Sequence, residues 1–400
     1  MVRARKVDAR TSVSRSLMTE CPLVRQELAD TAQKEETIMS AILTPKAIKT
    51  ALAGERVALV GGAGFIGHNL ALGLREYGAK VLLIDNLMQN NLLANISDTE
   101  VDPFRRELNF NFLRQRFEML RDVGVEIASA DARSMIDLEN ALRKFSPTKI
   151  VHLAAISSAV EAKKMPGHCF DLQLITLRNV LEYTQLRPDE VNQVVFMSSS
   201  TVYGDFKTQT VDENVRPQPY GIYANTKFMG ERLVRTYNDQ YGLNVSIIRP
   251  SALYGERCIS RRVSQAFIEN ALMGKPLMLE GGGDGRLDFT YILDLVDGII
   301  RSMAVESVPG ASHTFNITYG NARTILELAN IVKDVVPSAE LREVPRNKIK
   351  PIRGTLSTQR AEEQLNFKAQ WPLETGYRRY CEWYVEQWER VQAKVGANLM

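Results

Sequence analysis

The stretch YGIYANTK, residues 220–227, holds a tyrosine and a lysine at a spacing that could do acid–base chemistry. Tyr223 and Lys227 are four residues apart, so on a helix they share one face. A tyrosine with its usual pKa near 10 is a poor base, but a neighbouring ammonium favours the phenolate, which could accept a proton from a hydroxyl group. Tyr220 has Ala224 at the same spacing, and no lysine. Because the pattern alone is common on solvated helix faces, its interpretation depends on the surrounding sequence.

That surrounding sequence predicts a binding site for a dinucleotide. Apolar residues 57–60 predict a buried strand, and Gly61, Gly64 and Gly67 follow it before an apolar-periodic helix and a second strand that ends at Asp85. Glycines let the backbone turn close to a pyrophosphate, and a helix N-terminus offers it N–H groups and a positive dipole end. A carboxylate about twenty residues further on can accept hydrogen bonds from a ribose. The same carboxylate would repel a 2′-phosphate, which favours NAD over NADP.

More strands alternate with helices along the chain. The runs VEIASADARS, KIVHLAA, QVVFMSSSTVYGD and NVSIIRPSALYGE each predict a strand that ends in small or polar residues. Asp131 is a predicted contact to the adenine edge, Ala154 and Ala155 leave room for a cofactor near the backbone, and His152 is interpreted as structural. The alternation predicts an α/β fold, a Rossmann-like doubly wound parallel sheet whose ligands lie at the carboxyl ends of the strands.

The predicted organisation has three regions. Residues 1–54 form an N-terminal extension that we expect to be flexible or loosely helical, because its basic start lacks the apolar core of a secretory signal. Residues 55–250 form the NAD-binding Rossmann domain, with an insertion at about 88–123. Residues 251–400 mainly form a smaller C-terminal α/β domain, with some segments returning to the Rossmann sheet; the family resemblance given below implies that this is the substrate-binding domain.

Composition argues against several other functions. A net charge of +3 gives no electrostatic case for nucleic acid or a membrane surface as partner, and no apolar run approaches the length of a membrane span. The four cysteines are scattered without a CxxC pair, which speaks against a disulfide framework or a zinc site and favours a reducing cytoplasm. We expect no metal.

Together, the glycine motif, Asp85, HLAA, SSSTVYG, the Tyr223/Lys227 pair and RPSALYGE resemble the extended short-chain dehydrogenase/reductase family, in its nucleotide-sugar epimerase/dehydratase branch. The resemblance runs over about residues 56–384. It implies tightly held NAD, a C-terminal nucleotide-sugar domain and a catalytic triad of Ser199, Tyr223 and Lys227. Ser199 is chosen because it stands four residues before the tyrosine of VYG, as the family's catalytic serine or threonine does.

The resemblance also implies a set of ligand contacts. The cofactor would be bound by Gly61, Gly64, Phe65, Ile66, Gly67, Asp85, Asn86, Asp131, Ala132, Leu153, Ala154, Ala155, Tyr223 and Lys227. The nucleotide sugar would be bound by Ser157, Ser200, Thr201, Arg257, Arg261, Arg262, Arg286 and Arg353. The family often carries a phosphate-binding arginine where this chain has Leu287, and we expect the nearby arginines to compensate. A solvated surface charge is the alternative for each of them.

The residues after Ser199 distinguish the reactions of this branch. Family dehydratases carry an acidic pair, and decarboxylases a glutamate, where this chain has Ser200 and Thr201. Hydroxyl groups alone resemble the 4-epimerases, so we expect C4 epimerisation of a UDP-sugar through a transient 4-keto intermediate. A 4,6-dehydratase, a decarboxylase or another epimerase-reductase is the alternative, and a non-catalytic NAD-binding scaffold is a remote one. Family resemblance further implies a homodimer through helices near 160–185 and 221–241.

Overall fold

Strands and helices alternate along the chain in the structure, a computed structural model that describes residues 43–97, 101–305, 312–347 and 351–397. The strands are β1 (Arg56–Val60), β2 (Lys80–Asp85), β3 (Glu126–Ser129), β4 (Lys149–His152), β5 (Gln193–Met197), β6 (Thr210–Val211), β7 (Val245–Arg249), β8 (Leu253–Tyr254), β9 (Leu277–Glu280), β10 (Arg286–Leu287), β11 (Thr290–Tyr291), β12 (Ser312–Asn316), β13 (Arg323–Thr324), β14 (Leu341–Val344) and β15 (Thr355–Leu356).

The α-helices fall mostly between these strands. They are α1 (Pro45–Leu52), α2 (Phe65–Glu76), α3 (Leu92–Ser97), α4 (Pro103–Asp122), α5 (Met135–Phe145), α6 (Ala159–Lys164), α7 (Pro166–Phe170), α8 (Thr176–Gln185), α9 (Gly221–Tyr241), α10 (Val263–Leu272), α11 (Ile292–Ala304), α12 (Ile325–Val335), α13 (Gln359–Leu365) and α14 (Leu373–Ala397). A π-helical turn, Asp171–Ile175, joins α7 to α8.

Seven strands form one parallel sheet in the order β12-β7-β5-β4-β1-β2-β3. The central strands are continuous apolar runs because helices cover both faces of a doubly wound sheet. The chain moves outward from β1 to β3 and then returns to place β4 on the other side of β1. This reversal is the topological switch point, where a crevice opens at the carboxyl ends of the strands. The predicted α/β, Rossmann-like sheet is confirmed.

Helix α9, which carries the YxxxK pattern, has clear start and stop signals. Tyr220 before it is extended, Gly221 begins it with a φ of +79°, and Gly242 ends it in the left-handed conformation. The helix packs against α6, α7 and α8 on one face of the sheet. Its position next to β5 brings the first turn of α9 towards the carboxyl edge of the sheet.

The region after β2 departs from simple alternation, as the sequence indicates. Short helix α3 and the twenty-residue α4 fill it, and Asp102 caps α4 by accepting a hydrogen bond from the Arg105 N–H group. Phe112 and Leu120 are buried as expected, while Phe117 is half-buried. Helix α4 packs against α2 and α14, so the insertion links the helix that follows the glycine motif to the C-terminal helix.

The predicted N-terminal extension, residues 1–54, is described by the structure only in its last part. Residues 1–42 lie outside the described part of the chain. Residues 45–52 form α1, which starts with the cap residue Thr44 and packs against α11 with Ile48 and Leu52 fully buried. The end of the predicted flexible extension is therefore part of the folded unit that begins at Thr44.

The chain from residue 251 onward contributes strands both to the main sheet and to the smaller strand pairs outside it. It forms short strand pairs, β8 with β11, β9 with β14 and β10 with β13, while β15 pairs with β6. It also supplies β12 to the edge of the main sheet, and α11 packs against α2. Residues 351–356 run beside the segment after β5, which places the C-terminal part of the chain over the end of that strand.

Candidate active site

Neighbouring main-chain atoms leave room only for glycine at two positions of the turn that follows β1. Gly61 has a φ of +78°, and a Cβ atom there would lie 2.5 Å from the backbone nitrogen of Ala154. A Cβ atom on Gly67 would lie 2.1 Å from the carbonyl oxygen of Gly62. The ends of β1 and β4 and the start of α2 therefore approach each other at main-chain distance. Gly64 is the N-cap of α2 and makes no side-chain capping bond, so the helix N-terminus is available to an anion.

Asp85 fixes this turn from the end of β2. Its Oδ2 atom accepts a hydrogen bond from the N–H group of Ala63 at 3.0 Å, and its Oδ1 atom accepts one from Leu87 at 2.7 Å. Burial raises the pKa of Asp85, and the two N–H donors oppose that change. Each carboxylate oxygen keeps a second acceptor position, so Asp85 can also receive ribose hydroxyl groups.

The cleft at the switch point, here called the glycine cleft, has a cavity volume of about 150 Å³. The predicted cofactor residues that line it are Gly61, Gly64, Phe65, Ile66, Gly67, Asp85, Asn86, Asp131, Ala132, Leu153, Ala154 and Ala155. Glycines and alanines at the floor, a helix N-terminus and a carboxylate at the end of β2 suit a dinucleotide with its pyrophosphate beside α2. The residues present therefore fit NAD.

Asp131 is already engaged within the glycine cleft. Arg133 forms an ion pair with it at 2.6 Å, and Asn86 donates to it at 3.2 Å. The hydrogen bonds from Arg133 lower the pKa of Asp131 to about 2, so the carboxylate is charged at neutral pH. Arg133 and Asn86 therefore fix the orientation of the carboxylate that is predicted to contact the adenine edge.

A second cleft, here called the serine cleft, adjoins the first and has a cavity volume of about 410 Å³. Ser199, Tyr223 and Lys227 all line it, so the fold brings the predicted triad to one surface although Ser199 and Tyr223 lie on different elements. Tyr220 is 68% exposed and lines neither cleft. The two clefts share lining residues, namely Ile66, Leu153, Ala155, Ser157, Leu253 and Arg262.

Lys227 is a buried cation at the back of the serine cleft. Its side chain is 3% exposed, its Nζ atom donates to the carbonyl oxygen of Met197 at 2.7 Å, and it lies 5.4 Å from the ring centre of Phe196. Burial lowers the pKa of Lys227 to about 8. Tyr223, one helical turn earlier, packs against a cluster that includes Ile156 and Cys169.

The serines after β5 point in different directions. Ser199 caps the following 3₁₀ turn, and its Oγ atom accepts hydrogen bonds from the N–H group and the hydroxyl of Thr201 at 3.2 and 3.0 Å. Ser198 instead donates to the buried carboxylate of Glu231 at 2.6 Å. Ser200 accepts a hydrogen bond from Nη2 of Arg353 at 2.6 Å. The turn therefore presents its hydroxyl groups both to the cleft and to the core behind it.

His152 at the end of β4 is a core residue, as interpreted from the sequence. It is fully buried, and its Nε2 atom lies 2.8 Å from the hydroxyl of Thr176, which donates to the carbonyl oxygen of Leu172. Burial, together with the charge of Lys227, lowers the pKa of His152 to about 3. The imidazole is neutral at physiological pH and holds α8 against the sheet.

Two predicted substrate arginines and Ser157 line the clefts. Arg262 lies at the junction of both clefts, and its Nη2 atom donates to the carbonyl oxygen of Ser157 at 3.0 Å. Arg353 lines the serine cleft beside Ser200. Thr201 lines the same cleft.

The other three arginines do not line either cleft, which corrects the expectation that they meet the phosphates. Arg257 has a φ of +63°, and its Nε atom lies 3.3 Å from Nε2 of the buried His68. Arg261 forms an ion pair with Glu269 at 3.0 Å. Arg286 is exposed and donates to the carbonyl oxygen of Ala322 at 2.7 Å. Local backbone conformation and nearby acceptors turn these side chains away from the clefts.

Sequence reasoning missed part of the glycine cleft. The missed lining residues are Ile84, Gln89, Asn90, Arg116, Ala130, Leu172, Thr176, Leu253, Ile259 and Ser260. Gln89 and Asn90 follow the predicted ribose loop closely enough to have been proposed. Arg116 gave no signal, because it sits in a charged helix, yet it is 1% exposed and its Nε atom donates to the carbonyl oxygen of Arg257 at 3.1 Å.

The described residues contain neither a cluster of metal ligands nor a membrane-spanning helix. No group of three or more His, Cys, Asp and Glu side chains in this part of the chain could hold a metal ion. No helix within the same described ranges combines the length and apolar character needed to cross a membrane.

Known proteins resemble the chain over most of its length. UDP-glucuronate 4-epimerase 2 of Arabidopsis thaliana is 26% identical over 362 residues, which cover 86% of this chain and 79% of that protein. The crystal structure of UDP-glucuronic acid 4-epimerase from Bacillus cereus, in complex with UDP-glucuronic acid and NAD, matches with a TM-score of 0.70 and 20% identity over 83% of this chain and 99% of its own. DesIV, a dTDP-glucose 4,6-dehydratase from Streptomyces venezuelae with NAD and TYD bound, has a TM-score of 0.69 and 25% identity over 84% and 99%.

A family profile described as "NAD dependent epimerase/dehydratase family" matches residues 57–318. This range contains the glycine turn, the serine turn and the start of α9, so the profile covers every lining residue of the glycine cleft and all those of the serine cleft except Pro351 and Arg353. It also spans more than half of the sequence. The chain belongs to the NAD-dependent epimerase/dehydratase family, and its cofactor is NAD.

Proposed function

We propose that the protein is an NAD-dependent nucleotide-sugar epimerase that inverts C4 of a UDP-sugar. One observation carries the proposal: Ser199, Tyr223 and Lys227 line a cleft that adjoins the glycine cleft and to which the described chain contributes no carboxylate. Such a site can remove and return a proton at one hydroxyl group. It offers no second acid–base pair for eliminating water elsewhere on the sugar.

Tyr223 acts as the base. Its hydroxyl takes the proton of the sugar's C4 hydroxyl, and Lys227, one helical turn away, stabilises the phenolate that must form first. Ser199 donates a hydrogen bond to the sugar oxygen, since its Oγ atom already accepts bonds from Thr201 and keeps its own proton available. NAD, when bound, supplies the oxidant that accepts the hydride from C4 and later gives it back.

Epimerisation then requires the 4-keto sugar to turn over within the cleft. The serine cleft has a cavity volume of about 410 Å³, and its walls near the triad include the small or apolar side chains of Ala252, Leu287 and Phe289. The family often has asparagine at the position of Ala252 and arginine at the position of Leu287. The cleft therefore offers the sugar ring fewer polar contacts than is usual in the family. Fewer directional contacts favour a ring that can present either face.

The proposed ligand roles follow from where the side chains lie. Asp85 binds the adenosine ribose of NAD, and its charge excludes a 2′-phosphate. Gly61, Gly64 and Gly67 bring the pyrophosphate to the N-terminus of α2. Arg262, at the junction of the two clefts, binds the diphosphate of the nucleotide sugar.

The assembly is proposed to be a homodimer. Helices α6 to α9 pack together on one face of the sheet and leave large apolar side chains exposed, namely Val160, Met165, Phe170, Leu186, Met229 and Tyr241. Sedimentation equilibrium of the wild type and of Met229→Glu tests this, since a monomeric wild type contradicts it. We also propose a cytoplasmic location, supported by the free thiols of Cys169, Cys258 and Cys381.

The reaction is tested by incubating the purified protein with UDP-, GDP-, CDP- and dTDP-sugars in D₂O and following the products by NMR. The C4 epimer of a UDP-sugar without deuterium at C5 is the expected product. Loss of water identifies a dehydratase, and release of carbon dioxide identifies a decarboxylase. No product from any sugar contradicts an enzymatic role and leaves the NAD-binding scaffold.

A further inference from the structure

The loop of residues 255–262, here called the β8–α10 loop, forms a wall that the two clefts share. Ile259 and Ser260 line the glycine cleft, and Arg262 lies where the two clefts meet. The backbone of this loop is strained, because Arg257 has a left-handed φ of +63° although it is not glycine. Such a conformation persists only where neighbouring groups hold it in place. The groups that hold Arg257 therefore also shape the wall of both clefts.

Arg116, on helix α4, holds the main chain of Arg257. Its Nε atom donates to the carbonyl oxygen of Arg257 at 3.1 Å, and its Nη2 atom donates to the same oxygen. Its Nη1 atom donates to the carbonyl oxygen of Ala63 at 3.4 Å. Ala63 belongs to the glycine turn, where its N–H group donates to Asp85. A single guanidinium, 1% exposed, thus joins the glycine turn to the β8–α10 loop.

His68, near the start of α2, makes a second link between the same two segments. Its Nδ1 atom donates to the carbonyl oxygen of Gly64 at 2.9 Å, which leaves Nε2 of the neutral ring as an acceptor. The Nε atom of Arg257 donates to this Nε2 atom at 3.3 Å. Burial and the charges of Arg116 and Arg257 lower the pKa of His68, which keeps the ring neutral. Arg116, His68 and Arg257 are here called the arginine bridge.

The charge of Arg116 makes the bridge sensitive to an anion in the glycine cleft. Burial lowers the pKa of Arg116 only to about 10, so the buried side chain is a cation at neutral pH. Among the described residues it donates to main-chain oxygens, while the oxygens of nearby Asp85 accept from Ala63 and Leu87. A buried cation without a hydrogen-bonded carboxylate is costly. Because Arg116 lines the glycine cleft, a bound pyrophosphate reduces that cost and stabilises the bridge.

We propose that the arginine bridge couples the retention of NAD to the binding of the nucleotide diphosphate, with Arg116 as a positioning residue. NAD at the glycine turn stabilises the bridge, the bridge holds Arg257, and the β8–α10 loop then presents Arg262 to the diphosphate. In the other direction, a diphosphate on Arg262 keeps the loop against the glycine cleft. Because such coupling is reciprocal, each ligand strengthens the binding of the other by the same factor. The inference rests on the proposed role of Arg262.

The first test measures the affinity of the NAD-loaded protein for UDP by calorimetry. Arg116→Met should weaken UDP at least about tenfold, and Arg116→Lys, which keeps the charge but not the paired donors, should give an intermediate value. The KM for the UDP-sugar should rise by a similar factor while kcat stays within about threefold, because the triad lies on other elements. Arg114→Met, on the same helix with a side chain 69% exposed, is the matched control and keeps the wild-type affinity within about twofold.

A double-mutant cycle separates positioning from a general loss of structure. In an Arg262→Met background, Arg116→Met should change the Kd of UDP by about twofold or less, because the side chain through which it acts is already gone. An effect of about tenfold in both backgrounds would mean that Arg116 does not act through Arg262, and it would overturn the inference. An unchanged thermal midpoint shows that each variant is folded.

The reciprocal arm follows the exchange of bound NAD for deuterated NAD by mass spectrometry. Saturating UDP should slow the exchange at least about tenfold in the wild type and about twofold or less in Arg116→Met. A folded Arg116→Met protein with the wild-type affinity for UDP, or with the wild-type response of NAD exchange to UDP, overturns the bridge. Where Arg116→Met does not fold, His68→Leu, which removes the second link, is the replacement and should reduce the same response at least about threefold.

Failure of the proposed reaction has a different signature, because none of these binding measurements needs turnover. A protein that epimerises no UDP-sugar contradicts the proposed function, while the Kd of UDP and the exchange of NAD still decide the bridge. If Arg262→Met binds UDP as the wild type does, the proposed diphosphate role of Arg262 is wrong. The effect of UDP on NAD exchange in Arg116→Met then decides whether the two sites are coupled.

Discussion

The charged groups on the two sides of the serine turn are arranged in opposite ways. Behind it, Glu231 and Arg249 form a bidentate ion pair with distances of 2.8 and 2.7 Å, and both side chains are almost fully buried. Ser198 completes the Glu231 carboxylate, and Tyr203 accepts a hydrogen bond from Arg249 at 2.9 Å. The two buried charges of this pair are therefore matched by each other.

In front of the turn the charges are unmatched. Among the described residues, Lys227 donates to a carbonyl oxygen, and Arg353 donates to a hydroxyl and, at 3.5 Å, to the carbonyl oxygen of Gly204. Matched charges hold α9 and the end of β7 against the serine turn, whereas unmatched charges are available to a ligand. The same α9 carries both kinds, Glu231 behind and Lys227 in front, one turn apart. Substitutions on the two sides should therefore have separable effects on stability and on activity.

The largest effect is expected in front, for Tyr223→Phe. Loss of the phenol should reduce turnover about 10³-fold or more, because no other group of the serine cleft can take the sugar proton at neutral pH. The thermal midpoint and the NAD content should stay at wild-type values. Tyr220→Phe is the matched control, three residues earlier and 68% exposed, and should change turnover by about twofold or less. Turnover by Tyr223→Phe within tenfold of the wild type would refute the assigned role.

The largest effect on stability is expected behind, for Glu231→Gln. The substitution is nearly isosteric but leaves the buried Arg249 without a carboxylate, so the free energy of unfolding should fall by about 3–5 kcal/mol. Urea denaturation measures it. Replacing both partners, with Glu231→Leu and Arg249→Met, should cost less than the single substitution, since no charge is left unpaired. A Glu231→Gln variant as stable as the wild type would contradict the comparison.

Sequence patterns predicted the parts of this arrangement that depend on local spacing. The glycine turn follows from three glycines between a strand and a helix, and the Tyr223/Lys227 pair follows from helical periodicity. The strand end indicated a group of hydroxyl residues, and Ser199 was chosen among them through the family resemblance, because it stands four residues before the tyrosine of VYG. The helix–strand alternation then fixed the carboxyl edge of the sheet as the place where these residues meet.

The arginines show where such reasoning ends. Arg257, Arg261 and Arg262 are near neighbours in the sequence, yet only Arg262 lines the clefts. Positive φ angles of +63° and +45° at Arg257 and Arg261 turn their side chains elsewhere, and no residue type at those positions announces them. The contact of Arg353 with Ser200 depends on how β15 pairs with β6, which is a tertiary event without a local signal.

The pH dependence of stability tests whether Lys227, in front of the serine turn, is an unmatched buried charge. Burial lowers its pKa to about 8 in the folded protein, against about 10.4 in an unfolded chain. The unfolded chain thus binds more protons between pH 8 and 10.4, so stability rises with pH over this window, and the burial cost is fully present below pH 8. Relative to Lys227→Met, the wild type should gain about 2 kcal/mol from pH 8 to 10 by urea denaturation, out of about 3 kcal/mol over the whole titration. A difference between the two proteins that is constant with pH contradicts an unmatched buried lysine.

The smallest effect on stability is expected for Arg353→Met, and it sharpens the comparison most directly. Arg353 is partly buried and Arg249 is fully buried, and each lies near an aromatic ring. Both are linked to the serine turn. Arg353 donates directly to Ser200, whereas Arg249 is linked to Ser198 through the Glu231 carboxylate. Removing Arg353 leaves no carboxylate unpaired, so the free energy of unfolding without nucleotide sugar should fall by less than about 1 kcal/mol.

The same measurement with a saturating concentration of the UDP-sugar that the protein turns over should separate the two proteins. The wild type gains the full binding free energy of the ligand, while Arg353→Met gains less, so the difference between them grows with ligand concentration. A loss of several kcal/mol in the ligand-free variant would mean that Arg353 holds the fold together as Arg249 does. The distinction between charges kept for the structure and charges kept for the substrate would then not hold at this turn.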